Sequence, residues 1–167
     1  MKHLDYVPKA KKTLGSEITL ENGEVLIDGV ASWWTSCHGY NHPDIIRAME
    51  KQLNDMPHIM FGGFTHTPAE DLASNLKTLL PSIYSHYFFV DSGSVAVEVS
   101  MKMAIQYWVN QNNNNKRKFL SFKNGYHGDT LGAMSVCDPI EGMHSLFKNY
   151  IPEQINVDVP INNYQKE

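Results

Sequence analysis

The chain has 167 residues, of which 42% are hydrophobic and 19% are charged, and its formal net charge is -4. These values fit a globular domain with an apolar core and exclude a disordered tail. The net charge is mildly acidic and the basic runs are short, so the sequence predicts no basic surface that would bind nucleic acid. We therefore expect a globular protein that does not bind nucleic acid.

The sequence also has no feature of a membrane or secreted protein. No apolar stretch approaches the ~20 residues that cross a bilayer, and residues 1–20 lack the apolar segment of a signal peptide. The two cysteines, Cys37 and Cys137, lie far apart and without metal-ligand spacing, so neither a disulfide framework nor a zinc site is indicated. We expect a cytoplasmic protein without a metal site.

The first predicted elements are a β-hairpin and two helices. Residues 18–28 alternate apolar and polar side chains around Asn22-Gly23, which predicts a hairpin with a type I′ turn. One helix is predicted from Pro43 to Asn54, and a second begins at the capping-box pattern of residues 67–70. The second helix is expected to bury an apolar stripe that consists of Ala69, Leu72, Ala73, Leu76 and Leu80.

The second half of the chain alternates predicted strands with a predicted helix. The strands are expected at His86–Val90, at Phe119–Phe122 and near Ala133–Cys137. The helix is expected at Val95–Trp108. This alternation predicts an α/β domain with a largely parallel sheet.

The tetrapeptide Asp91-Ser92-Gly93-Ser94 lies between a predicted strand and the long predicted helix. A helix N-terminus presents unpaired N–H groups and a partial positive charge, so it binds phosphate well. Gly93 would allow close backbone approach, and the Ser94 hydroxyl would add a hydrogen bond. A plain serine N-cap at a βα turn also fits, and the motif is neither a P-loop nor a GxGxxG fingerprint.

Two further motifs carry aromatic side chains in irregular segments. In Asn124-Gly125-Tyr126-His127-Gly128-Asp129, an aromatic ring between glycines suits contact with a planar ligand, although Tyr126 packed on the core fits equally. Trp33 and Trp34 form either part of the core or the wall of an apolar pocket. The eight histidines show no metal-ligand spacing.

Several strings taken together resemble the class-III pyridoxal-phosphate (PLP) aminotransferases of fold type I. The similarity covers residues 24–150 and is greatest to the family branch that forms 7,8-diaminononanoate in biotin biosynthesis. The strings, in chain order, are DGVASWWTSCHGYNHP (28–43), MFGGFTHTPA (60–69), FFVDSGSVAVEVSMKMAIQYW (88–108), FKNGYHGDTLGAMSVCDP (122–139) and MHSLF (143–147).

The resemblance implies a role for each singled-out residue. Gly93 and Ser94 would bind the phosphate of PLP, and Tyr126 would stack on its pyridine ring. The substrate pocket would be lined by Trp33, Trp34, Tyr126 and Asp129. The implied reaction transfers an amino group from S-adenosylmethionine, or from lysine in some relatives, to 8-amino-7-oxononanoate. The implied assembly is a homodimer.

The chain departs from the family pattern in two ways. Residues 1–16 lack the family's His-Pro-Tyr-Thr-like string, and the family is much longer than this chain. Its Schiff-base lysine, the Asp that pairs with the pyridine nitrogen and an Arg for the substrate carboxylate are all expected beyond Glu167. We therefore assign no catalytic residue here and expect this chain to be a fragment that is inactive alone. Residues 1–60 would be the N-terminal segment, and 61–167 the first part of a truncated PLP-binding domain.

Two other functions remain open from the sequence. An aminotransferase of the same class that acts on ω-amino acids would share Gly93, Ser94 and Tyr126, but we would not expect it to have the tryptophan pair. A non-catalytic module that keeps only the phosphate and ring contacts would bind PLP without forming a Schiff base.

Overall fold

The computed structural model describes residues 5–140, 145–147 and 149–160. Met143 and His144 of the MHSLF string lie outside these ranges. The chain divides into two compact units, Met1–Asn75 and Leu76–Glu167. Among the described residues, no helix combines the length and apolar character that a membrane crossing needs.

The first unit contains a three-stranded antiparallel sheet in the order β1-β2-β3. The strands are β1 (Ala10–Leu14), β2 (Glu17–Leu20) and β3 (Val25–Ile27). The predicted hairpin is confirmed as β2-β3, with Thr19 opposite Val25, whereas β1 was not predicted.

The turn of this hairpin differs from the predicted type I′. A type I′ turn needs positive φ at both central residues. Here Gly23 has a φ of +89°, but Asn22 does not have a positive φ. The Asn22 side chain instead accepts a hydrogen bond from the N–H of Glu24 at 3.0 Å. The Asn22 amide therefore stabilises a turn in which glycine alone is left-handed.

A four-residue left-handed turn, labelled α1 (Ala31–Trp34), and two helices, α2 (Pro43–Asp55) and α3 (Thr67–Leu79), follow in chain order. Helix α2 confirms the prediction, and Pro43 lies in its first turn. Helix α3 also forms where expected, but its capping differs. The ring of His66 accepts from the N–H of Ala69 at 3.2 Å. The carboxylate of Glu70 accepts from the hydroxyl of Thr65 at 2.9 Å.

The apolar stripe of α3 is not buried, contrary to the prediction. Leu72 is 47% exposed and Leu80 is 41% exposed. The reason is that no other helix or strand in the described part of the chain packs against α3. Helical periodicity therefore predicted the helix correctly but not the burial of its apolar face.

The second unit consists of α4 (Gly93–Asn110), β4 (Leu120–Phe122), α5 (Leu131–Ser135), a 3-10 turn (Ser145–Phe147) and β5 (Ile155–Val157). Strands β4 and β5 pair in parallel, with Leu120 opposite Ile155, which agrees with the predicted parallel α/β arrangement. Helix α5 contacts α4. The buried apolar residues of this unit, among those described, are Ala133, Val136 and Cys137.

Two predicted strands are absent from the described structure. Residues 86–90 form no strand, because no other described segment pairs with them. The segment 133–137 begins in helix α5 and not in a strand. The N–H of Ala133, together with that of Gly132 just before the segment, bonds to the side chain of Glu98 on α4, a long-range contact that local patterns do not show.

Candidate functional site

The long helix α4 begins at the predicted phosphate motif. Ser92 is its N-cap residue, with an extended backbone, and its hydroxyl oxygen accepts from the N–H of Val95 at 3.2 Å. Capping is thus done by Ser92, which leaves the hydroxyl of Ser94 for other contacts. The first-turn N–H groups of Gly93 and Ser94 have no intrahelical partner. A methyl group built onto Gly93 would meet no atom within 4 Å, so the space beside this turn is open.

The loop of residues 124–129 lies directly against the start of α4. The Ser94 hydroxyl oxygen accepts from the N–H of Asp129 at 3.1 Å. The hydroxyl of Thr130 donates to the carbonyl of Ser94 at 3.4 Å. Gly128 is buried between them, with a φ of +127°, and a Cβ there would lie 2.8 Å from Ser94 Cα. This close approach therefore requires glycine at position 128.

The same loop is held from its other side by two buried residues. Cys137 is 3% exposed, and its sulfur accepts from the N–H of His127 at 3.2 Å. Asp138 is 6% exposed, and its carboxylate accepts from the N–H of Asn124 at 2.6 Å. The N–H of Asp138 in turn donates to the carbonyl of Gly125 at 2.9 Å. These contacts were not predicted, because only the tertiary fold brings both residues beneath the loop.

Tyr126 and Asp129 interact with each other at the exposed face of this loop. The pKa of Tyr126 is raised above its ordinary value of 10.0, first by the lost hydration of its hydroxyl and then by the hydrogen bond to Asp129 and the charge of that carboxylate. The phenol is therefore neutral at physiological pH. Tyr126 is 60% exposed, which rules out the alternative that it packs on the core.

The tryptophan pair lies in the first unit, on a backbone of unusual geometry. All four residues of α1 have positive φ angles, from Ala31 at 48° to Trp34 at 68°. A left-handed conformation costs about 1–2 kcal/mol per residue for side chains other than glycine. Trp33 is 81% exposed and Trp34 is 84% exposed, so neither ring is part of the core. The turn therefore displays both indole rings at the surface of this unit.

A hydrogen-bonded cluster stabilises this left-handed turn. Asp28 accepts from the N–H groups of Val30 at 3.0 Å and Ser32 at 2.7 Å. The hydroxyl of Tyr40 donates to Asp28 at 2.5 Å and is also hydrogen-bonded to the Ser32 hydroxyl. The Tyr40 bond is the largest of the causes that lower the pKa of Asp28, so this carboxylate is charged at neutral pH. Local sequence patterns gave no sign of the contact between Asp28 and Tyr40.

The structure thus connects the predicted residues in two groups. Hydrogen bonds join Ser94, Asp129 and Tyr126 in the second unit, with Gly93 beside Ser94 at the start of α4. Trp33 and Trp34 share one turn in the first unit. The first group combines an open helix N-terminus with an exposed aromatic ring, which can bind a phosphate together with a planar ring.

A comparison with known families gives the class of the protein. Residues 2–167 match the family model described as aminotransferase class-III. The chain therefore belongs to the class-III aminotransferases, a family of enzymes that act on small molecules. Its fold is that of the fold type I transferases, of which this chain contains a partial α/β arrangement.

Among curated relatives, the chain is similar to adenosylmethionine-8-amino-7-oxononanoate aminotransferases. It is 49% identical to that of Corynebacterium glutamicum over 149 residues, which are 89% of this chain. It is 47% identical to that of Buchnera aphidicola from Acyrthosiphon pisum over 153 residues, or 91% of this chain. In both cases the chain spans 35% of the relative's length.

Solved structures of aminotransferases share the fold. The structure of adenosylmethionine-8-amino-7-oxononanoate aminotransferase from Methanocaldococcus jannaschii superposes with a TM-score of 0.88 at 30% identity, over 94% of this chain and 36% of that one. An amine transaminase from an uncultivated Pseudomonas species, solved in a PLP-bound form, gives a TM-score of 0.79 at 29% identity, over 96% and 37% of the two chains.

Proposed function

We propose that the whole protein is the aminotransferase that converts 8-amino-7-oxononanoate to 7,8-diaminononanoate, with S-adenosylmethionine as the amino donor. The observation that carries the proposal is the hydrogen-bonded link from Ser94 through Asp129 to Tyr126, beside an open helix N-terminus. The identity of 47–49% to relatives named for this reaction supports the choice of substrates.

The cofactor we propose is PLP, and the residues present fit it. A phosphate needs N–H donors and positive potential, and the start of α4 offers both at Gly93 and Ser94. The Ser94 oxygen already accepts from Asp129, so its own proton is free to be donated to an anion. When bound, PLP supplies the electron sink for amino transfer.

Tyr126 and Asp129 would orient the ring and the substrate. The Tyr126 ring is exposed at the loop that contacts Ser94, so it can lie against a planar ring bound there. Its hydrogen bond to Asp129 restricts rotation of the hydroxyl and keeps the phenol neutral. We propose that Tyr126 stacks on the pyridine ring and that Asp129 borders the substrate pocket.

Trp33 and Trp34 would bind the apolar chain of the keto acid. Two exposed indole rings present a large apolar area, which is the chemistry that a long aliphatic substrate requires. The same pair distinguishes the proposed function from that of an ω-amino acid aminotransferase, whose smaller substrates need no such surface.

We also propose that the whole protein is a homodimer, because the family that the chain resembles implies this assembly.

The chain's location and division into domains also remain proposals. Both cysteines are free thiols, which suits the reducing cytoplasm. The assignment of residues 1–60 to an N-terminal segment and of 61–167 to the PLP-binding domain rests on the resemblance.

An assay of the purified holoenzyme tests the function. We expect 7,8-diaminononanoate to form from 8-amino-7-oxononanoate with S-adenosylmethionine or lysine as donor. Trp33→Ala should raise KM for the keto acid more than KM for the donor. Activity with ω-amino acids but none with 8-amino-7-oxononanoate would overturn the proposal.

A separate experiment tests whether this chain contributes a catalytic lysine. We propose that it does not. Treating the 167-residue chain with PLP and borohydride should leave no pyridoxyl group at any single defined lysine. A stoichiometric adduct at one lysine would refute this and would make that residue the catalytic candidate.

A further inference from the structure

Glu98 lies on α4 four residues, or about one helical turn, after Ser94, on the same face, and its side chain points to another helix. One carboxylate oxygen accepts hydrogen bonds from the N–H groups of Gly132 and Ala133, the latter at 3.3 Å. These are first-turn N–H groups of α5, which lack partners in an isolated helix. The residue at the N-cap position, Thr130, makes no side-chain cap of its own. Glu98 therefore caps α5 from a different helix.

Two successive turns of α4 thus hold two successive parts of one segment. Ser94 bonds to Asp129 and Thr130. One turn later, Glu98 bonds to the first turn of α5. The fit is tight, since a Cβ on Gly132 would lie 2.8 Å from the Glu98 carboxyl carbon. The segment carrying Asp129 is therefore fixed on α4 from both sides of Thr130.

The charge state of Glu98 agrees with this role. Partial burial alone would raise the pKa of Glu98, but the nearby Thr130 hydroxyl and the hydrogen bonds from the N–H groups of Gly132 and Ala133 outweigh it and lower the pKa below its ordinary value of 4.5. The carboxylate is thus ionised at neutral pH, and bonds from N–H groups to a charged acceptor are stronger than those to a neutral one.

We propose that Glu98 is a positioning residue for the cofactor site, and this inference rests on the proposed function. By holding the first turn of α5 on α4, Glu98 keeps the Asp129 N–H on the oxygen of Ser94. That bond occupies the acceptor side of the hydroxyl and directs its proton toward the open space at the start of α4. Glu98 also keeps Tyr126 within reach of Asp129. It acts through these residues and does not touch the cofactor.

Cofactor binding to variants of the holoenzyme tests the proposal. PLP is removed from the wild type and from each variant and is then titrated back. The variants are Glu98→Ala, Glu98→Gln and, as a control, Glu50→Ala on the exposed face of α2. Loss of the cap should raise the Kd for PLP about tenfold, which corresponds to one hydrogen-bonding interaction. Glutamine keeps a carbonyl oxygen for Gly132 and Ala133, so it should restore most of the affinity.

Amide hydrogen exchange supplies a readout that does not depend on activity. In the cofactor-free protein, Glu98→Ala should speed exchange at the Asp129 N–H, while exchange in β4 stays unchanged. A folded Glu98→Ala protein with wild-type Kd and wild-type exchange at Asp129 would overturn the inference. If the wild type itself fails to bind PLP, the proposed function is wrong, and the exchange result alone decides the role of Glu98.

A Gly132→Ala variant covers the case in which Glu98→Ala does not fold, and a double-mutant cycle extends the test where both variants fold. Gly132→Ala displaces the carboxylate without changing Glu98, and it should raise the Kd for PLP to a similar extent. In the double variant the shortened residue 98 leaves room for the methyl group of Ala at position 132. The Kd of the double variant for PLP should therefore not exceed that of either single variant. Additive effects on Kd would contradict the proposal.

Discussion

The hydroxyl oxygen of Ser94 accepts a hydrogen bond from the backbone N–H of Asp129 at 3.1 Å, across 35 residues of sequence. This bond joins the start of a helix, where an anion binds favourably, to a loop that presents an aromatic ring. Because Ser92 caps the helix, Ser94 is available for this contact. The bond between Ser94 and Asp129 therefore makes one site of two motifs that are far apart in the sequence.

Replacing Ser94 by alanine should weaken binding of the cofactor's phosphate. In the proposed site, the variant loses a donor to the phosphate and the acceptor of the Asp129 N–H. We expect the Kd of the holoenzyme for PLP to rise about tenfold or more, which is the loss of a hydrogen bond to a charged group. Pyridoxal, which lacks the phosphate, should lose less affinity. Ser100→Ala is the control, since that hydroxyl bonds only within α4 at 2.8 Å to Ala96; equal losses for both ligands would argue against a phosphate contact.

Substituting Gly128 with alanine should destabilise the protein. Position 128 has a φ of +127°, and the added methyl carbon would lie 2.7 Å from Ser94 Cβ. Backbone strain and overpacking each cost about 1–3 kcal/mol, so we expect the free energy of unfolding of the whole protein to fall by about 2 kcal/mol or more. Gly29→Ala is the matched control, because a Cβ there meets nothing within 4 Å and its φ is not positive. Chemical denaturation measures both, and equal stability of the two variants would contradict the close approach.

Replacing Ala31 by glycine should stabilise the protein or leave its stability unchanged, the reverse of the usual effect. Ala31 has a φ of 48°, a conformation that costs alanine about 1–2 kcal/mol and glycine little. In helix α2, Ala48→Gly should instead cost about 1 kcal/mol, since that residue has ordinary helical geometry. Thermal unfolding of the whole protein compares the two variants. A similar loss in both would show that the turn at 31–34 is not left-handed.

Glu98 should make stability depend on pH in the acidic range. Its pKa is lowered in the folded state by hydrogen bonds, so its contribution to stability is present above its ordinary pKa of 4.5 and is lost as pH falls through the folded value. The melting temperature of Glu98→Gln should therefore fall less steeply with acidification than that of the wild type. Glu50→Gln on the exposed surface of α2 should leave the slope unchanged. Identical slopes for wild type and Glu98→Gln would refute the shift.

The 167-residue chain by itself should bind a hydrophobic dye and unfold without a sharp transition. Only four apolar side chains are buried among the described residues, namely Leu20, Ala133, Val136 and Cys137. Such a core cannot offset the conformational entropy of this many residues. We expect strong fluorescence of anilinonaphthalene sulfonate, which reports exposed apolar surface. A cooperative calorimetric transition of a monomer without dye binding would contradict this expectation.

Local patterns in the sequence were enough to predict several elements. Helix α2 begins at Pro43, helix α4 follows a serine that caps it, and the β2-β3 hairpin forms around Asn22-Gly23. The fixed φ of proline, a capping hydroxyl and a turn glycine are all local properties of these residues. The strings that resemble class-III aminotransferases also identified the family, and the residues proposed to bind PLP were named from them.

Long-range contacts explain the predictions that were wrong. Residues 133–137 have an apolar content that suits a strand, but Glu98 caps this segment into helix α5. Residues 86–90 have the composition of a buried strand and no described neighbour to pair with. A strand needs a neighbouring strand to form hydrogen bonds with, and a short helix needs partners for the backbone groups at its ends. Neither requirement can be read from a short stretch of sequence.

The sequence alone determined that α4 starts at the Asp91-Ser92-Gly93-Ser94 motif, and it determined the family of the chain. Both follow from local properties, namely a capping residue and the strings of residues typical of the family. Only the tertiary structure decided that Asp129 donates to Ser94, that Cys137 and Asp138 hold the loop from beneath, and that Asp28 and Tyr40 stabilise a left-handed turn. The physical reason is that these bonds join groups 10 to 35 residues apart, so their geometry exists only once the backbone has folded.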